Sequence, residues 1–200
     1  MLDALLRLDV GKGQYESDAE YGKRLKALAG SKLSDEVVVG DVVGYRPTNV
    51  RYWYDANKQV WQYEISPESV NYKFNNVLVY KETLDPNRFP AYGTALHRTA
   101  LNFTKDIYLN IGDLKGLSYI NGVVKVASKD APALDGNLTV LLVGRHVPNF
   151  VSKGEQLPSE FSESEVKFQH ALAFKLESVW LIHKQTGRIL SKAWTLRRMA

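Results

Sequence analysis

The stretch Val166–Leu190, VKFQHALAFKLESVWLIHKQTGRIL, decides the fold, because it carries the clearest alternation in the chain and the clearest turn. Phe168, His170, Leu172, Phe174 and Leu176 fall on one side of a period-two pattern, with Lys167, Gln169, Lys175 and Glu177 opposite. That is the pattern of a strand with one buried face. From Val179 to Ile182 both sides turn apolar, as a strand covered on each face requires. Lys184-Gln185-Thr186-Gly187 then supplies a turn in which Gly187 is available for positive φ, and a second strand beginning near Arg188 closes a hairpin.

Most of the chain upstream reads the same way. Leu138–Val147, LTVLLVGRHV, is a continuous apolar strand expected at the centre of a sheet and stopped by Pro148. Residues 152–165 are polar and acidic and predict a surface loop ahead of the main strand. Thr99–Ile111 alternates through Leu101, Phe103, Lys105, Ile107 and Leu109. Leu117–Ala127 holds Asn121-Gly122, a hairpin dipeptide, between apolar flanks, and these two segments are expected to pair. Ser128–Asp135 suits one helical turn. Arg51–Tyr54 and Val60–Ile65 are aromatic strands joined by Asp55–Lys58, a β-hairpin; Asn75–Lys81 is another strand, and Leu84–Gly93 is a proline-bearing loop. Only the start reads helical. Ser17 with Glu20 makes a capping box, and Tyr21, Leu25 and Leu28 follow at i, i+4 and i+7 until Gly30.

The segments together predict a single α+β domain. A short N-terminal helical part, residues 1–34, packs on a mainly antiparallel sheet over 35–192, followed by a basic tail over 193–200. The sheet is expected to hold about seven to ten strands.

Composition narrows the function classes. A chain of 200 residues with 44% hydrophobic residues buries a real core. Cysteine is absent, which excludes a disulfide framework, thiolate metal sites and a cysteine nucleophile. The net charge of +4 is concentrated at the end: residues 171–200 hold six Lys and Arg against Glu177. A nucleic-acid module spreads its basic face through the domain, so the high pI is weak support for DNA or RNA binding through the basic tail. No run approaches the ~20 apolar residues of a membrane span. MLDALLRLDV has Asp3, Arg7 and Asp9 inside its apolar run and is no signal core.

No motif demands a chemistry. Tyr54 and Lys58 match a dehydrogenase spacing, but the residues between them form a turn and no Rossmann glycines precede them. The histidines His97, His146, His170 and His183 show no metal-ligand spacing. His170 lies on an apolar strand face and reads as a hydrogen-bonded core residue. His97-Arg98 and Arg145-His146 are candidate anion contacts, each equally a solvent contact at a strand end. Tyr52, Trp53, Tyr54, Trp61 and Tyr63 are denser than a small hairpin needs for its own core, and read as core on one face and a candidate interaction surface on the other.

The helix Tyr15–Leu25, the turn Tyr54–Val60, the strand Leu141–Pro148 and the ending Val179–Leu190 resemble an uncharacterised family of Gram-negative envelope proteins. The resemblance implies a secreted or lipid-anchored periplasmic domain of unknown function, with any leader lying ahead of Met1, and carries over no catalytic residues. The expected function is a non-enzymatic binding or assembly role in the cell envelope, with another envelope protein as partner and neither cofactor nor metal. A hydrolase using carboxylates or histidines near loop 84–97, among them His97, Asp106 and His146, is the alternative. A nucleic-acid binder acting through the basic tail, in a cytoplasmic setting, is the third.

Overall fold

The computed structural model describes residues 2–8, 10–70, 73–89, 102–112, 118–147, 152–156 and 165–198. The chain is mostly β with two short helices at its start, α1 (Leu2–Arg7) and α2 (Asp18–Leu28). Twelve strands follow among the described residues: β1 (Val43–Tyr45), β2 (Val50–Asp55), β3 (Val60–Ile65), β4 (Glu68–Val70), β5 (Lys73–Leu84), β6 (Asn102–Asn110), β7 (Ser118–Lys125), β8 (Leu138–His146), β9 (Ser152–Gln156), β10 (Glu165–His183), β11 (Ile189–Ser191) and β12 (Trp194–Arg198). They form two sheets where the sequence predicted one. The larger has eight strands, with the path β1-β8-β10-β6-β5-β4 and with β9 and β11 also on β10; the smaller has four, β12-β7-β3-β2.

The organising stretch becomes β10, 19 residues long. Its first half pairs parallel with β6 and antiparallel with β9, and its second half antiparallel with β8 and β11. The hairpin to β11 forms as expected. Gly187 takes φ +67, and His183 N–H donates to the Arg188 carbonyl at 2.9 Å. All ladders described are antiparallel except β6–β10.

One core cluster draws on both sheets, including Tyr63, Ile65 and Ile120 from the smaller and Ile107, Leu142, Leu172, Phe174 and Leu181 from the larger. Leu5 of α1 is fully buried in it. Ser17 caps α2 with the predicted box: Glu20 N–H donates to Ser17 Oγ at 3.3 Å, and Ser17 N–H to Glu20 Oε2 at 2.9 Å. The hairpin β2–β3 forms with full register from Val50↔Ile65 to Asp55↔Val60, and the helical turn is a 3-10 turn at Ala131–Leu134. β8 lies between β1 and β10, as its apolar run requires.

Four expectations are corrected. Asn121-Gly122 is no turn, because both residues lie inside β7, where Gly122 faces Tyr63 across the ladder. β6 and β7 do not pair but belong to different sheets. The acidic stretch begins with a strand, since β9 pairs with Lys167–Ala171; residues 157–164 lie outside the described residues, as do Pro148 and residues 90–101. The basic end is no tail: β12 pairs with β7, and Trp194 packs against the core.

Candidate functional site

The smaller sheet brings together two features that the sequence keeps far apart, the aromatic hairpin and the basic C-terminal end. Cross-strand register sets Trp53 beside Gln62 and Val123 in one row. Arg51, Glu64, Asn121 and Thr195 make a second row, and Tyr119 and Arg197 a third. Successive residues of a strand point to opposite faces, so these residues share the side away from the core. Trp53 is 38% exposed and Val123 45%. Such large apolar side chains on an otherwise polar, solvated sheet face are the exception to the in-out rule.

Two arginines lie over aromatic rings on this face. The Arg51 guanidinium is 6.0 Å from the Trp53 ring centroid, and that of Arg197 is 5.9 Å from Tyr119. Arg51 also lies 3.6 Å from the nearly buried Glu64 carboxylate. A guanidinium held over a ring presents its N–H groups at a lower entropic cost than a freely rotating side chain, and that of Arg51 is already shared with Glu64. The face therefore offers an apolar centre with cations beside it.

The remaining predicted aromatics face inward. Trp61 and Tyr63 are buried, with Trp61 Nε1–H donating to the Ala131 carbonyl at 3.2 Å. Tyr52 and Tyr54 are half-buried against the core, and the Tyr54 hydroxyl donates to the Val126 carbonyl at 2.8 Å. Of the predicted five, Trp53 alone is exposed.

Of the candidate anion contacts, Arg145 and His146 lie among the described residues. His97 and Arg98 lie outside the described residues. Arg145 reaches Glu177 at 3.1 Å and the Gly40 carbonyl at 2.6 Å, tying the segment before β1 to β8 and β10. His146 is buried, its Nε2 2.8 Å from the Tyr45 hydroxyl and its ring edge-on to Tyr45 and Phe174. Burial lowers its pKa to about 4, so the ring is neutral at pH 7 and no partner for an anion.

Of the residues proposed for hydrolysis, Asp106 and His146 are described, and they contact different side chains, Tyr108 and Tyr45. Asp106 belongs to the other face of β6, buried with Tyr108, whose hydroxyl lies 3.4 Å from both Asp106 and Glu68; burial raises the Tyr108 pKa. His170 instead lines a cavity of about 330 Å³ with Phe168 and Lys105, at the far end of the larger sheet.

Reading the sequence missed Tyr119, Val123 and Arg197. The alternation of Tyr119, Asn121 and Val123 sets Tyr119 and Val123 on one side of a strand once Asn121-Gly122 is not read as a turn, whereas Arg197 reaches the face only through its register with Tyr119.

Fold and face define a mostly β chain of two sheets, the smaller of which presents an outward patch of stacked arginines and aromatics. Comparison with protein-family models, with curated proteins and with solved structures finds no match for this chain.

Proposed function

We propose that this chain is a non-enzymatic binding protein which presents the outer face of β2-β3-β7-β12 to an acidic partner protein, with the bacterial cell envelope as its compartment. The observation that carries the reading is the stacking of Arg51 on Trp53 and of Arg197 on Tyr119 on one sheet face. Aromatic and arginine side chains dominate interface hot spots, and neutral polar groups such as Gln62, Asn121 and Thr195 interleave with them on this face. A protein fits better than a nucleic acid, because Asp55 and Glu64 share the face with Arg51, Lys125 and Arg197 and interrupt any continuous basic track for a phosphate backbone. Among the described residues no helix is long and apolar enough to cross a membrane. The envelope assignment is supported by the four segments that resemble envelope proteins.

A photo-crosslinking residue at position 53, introduced in cells, tests the reading against the same residue at Tyr15, which is 93% exposed on the N-terminal loop. The expected result is a discrete protein adduct from position 53, absent from position 15, resistant to nuclease and abolished by Arg197→Glu. In a purified complex, Trp53→Ala is expected to weaken binding by about 2 kcal/mol, roughly 30-fold. Identical adducts from both positions, or unchanged binding by both variants, would sink the proposal.

A further inference from the structure

The four strands that end the two ladders differ in how well their open edges are guarded. An exposed edge invites pairing with another chain, and short strands, bulges, prolines and like charges discourage it. β1 and β4 are three residues each, and the β4 ladder shifts register between Glu68 and Val70. β12 carries two arginines and no acidic residue, so two copies of it would meet with like charge. β2 has none of these guards. It holds one charge of each sign and no proline, its register with β3 is unbroken from Val50 to Asp55, and among the described residues β3 is its one neighbour.

Backbone geometry leaves few ways of extending that edge with a second β2. Residues facing each other in an antiparallel ladder both turn their N–H and C=O groups toward each other or both turn them away. Alternate residues of β2 already turn to β3, so a two-fold pairing matches only residues an even number apart, which also share a face. The axis therefore passes through a residue. Centred on Trp53, it sets Arg51 opposite Asp55 of the second copy, and Asp55 opposite Arg51. Centred on Tyr52 or Tyr54, it brings neither charge to its opposite.

The ion pairs already present fit that register. The Arg51 guanidinium, on a side chain 75% exposed, lies 3.6 Å from Glu64, beyond hydrogen-bond reach. Asp55 Oδ1 accepts from Lys58 N–H at 3.1 Å, and Oδ2 lies 3.4 Å from the exposed Lys58 ammonium. Neither charge is uncommitted, and the joint needs neither to be. At each end it links the two pairs into a row of alternating sign, Glu64 and Arg51 followed by Asp55 and Lys58 of the second copy. The exposed Trp53 meets its twin on the axis.

We propose that this edge takes a second copy of the chain, β2 pairing antiparallel with β2 about Trp53. Two four-stranded sheets then run on as one, with both outer faces on the same side. Cross-strand charge and the aromatic pair hold the joint, and an isologous contact of this kind closes at two copies. The pairing goes beyond the acidic partner and does not rest on it, because Arg51 and Trp53 stay on the outer face and Arg197 lies on the far strand of each sheet.

The test combines sedimentation velocity of the purified full chain with charge exchange. The expected result is a dimer at about 100 µM. Arg51→Glu and Asp55→Lys should each weaken it at least tenfold, and an equimolar mixture of the two variants should restore it, because both ends of the mixed dimer then bring opposite charges together. The chain has no cysteine, so Trp53→Cys should form an intermolecular disulfide on mild oxidation. Arg51→Cys, roughly 13 Å along the strand from its twin, should not. At position 53 the photo-adduct of this pairing joins two copies and survives Arg197→Glu, which separates it from an adduct to the acidic partner. A monomer at about 100 µM, no rescue in the mixture, or disulfide formation at position 51 as fast as at position 53 would each overturn the proposal.

Discussion

Tyr63 and Gly122 face each other across β3 and β7, and the ring lies where a side chain at position 122 would go: a Cβ there would overlap the Tyr63 ring. Gly122→Ala is therefore an overpacking change, expected to cost about 1–3 kcal/mol in urea unfolding, and to cost almost nothing more once Tyr63 is already Leu. The Tyr63 hydroxyl is buried and finds no hydrogen-bond partner among the described residues. Tyr63→Phe should raise stability by about 1 kcal/mol, because it removes a desolvated donor. His146 sets a pH dependence of definite sign. Its folded pKa of about 4 lies below the ordinary 6.5, so the unfolded chain binds the proton more readily. Stability from this group is full above pH 6.5 and is lost as the pH falls toward 4. Between pH 7 and 5, where carboxylates titrate little, unfolding free energy should drop by about 2 kcal/mol, and His146→Gln should flatten that slope.

At the scale of elements, the β10–β11 hairpin depends on one backbone conformation. Gly187 has φ +67 and open space around its Cα, so Gly187→Ala adds no clash and measures the left-handed backbone alone. A loss of about 1 kcal/mol is expected by thermal melting, with β11 amides exchanging faster. This hairpin, the hairpin β2–β3 and the capped helix α2 were legible in the sequence, because each is closed by residues a few positions apart whose chemistry is local. Partner choice was not legible. The alternation of β10 predicted Phe168, His170, Leu172, Phe174 and Leu176 as the core side, and Leu172 and Phe174 are buried as expected, yet Phe168 and His170 line a cavity while Gln169 and Ala171 of the opposite side are buried too. Alternation separates two faces without saying what covers either, and β10 is covered on both. Asn121-Gly122 misled for a related reason: the glycine answers to a ring on a neighbouring strand 59 positions away, not to a turn. The candidate face was half legible, since Trp53 stood out while Tyr119 and Arg197 reach it only through tertiary register.

For the molecule as a whole, the C-terminal end is a structural edge rather than a charged appendage. Trp194 packs on the core, and the Lys192 ammonium is 4.6 Å from the Trp180 ring centroid. Deleting residues 192–200 should lower the melting temperature by roughly 5–10 °C, the equivalent of about 2–3 kcal/mol, whereas Arg197→Glu should change stability by no more than about 0.5 kcal/mol. A deletion that melted like the parent would mean that β12 adds nothing. The placement of β10 late in the chain bears on how the protein is made. The strand that binds β6, β8, β9 and β11 begins only at Glu165, so β6 and β8 are made well before the strand that joins them. Until then β6 and β8 carry open hydrogen-bonding edges, and such long-range closure is slow. Closing that ladder is therefore expected to limit the rate at which the unfolded chain refolds.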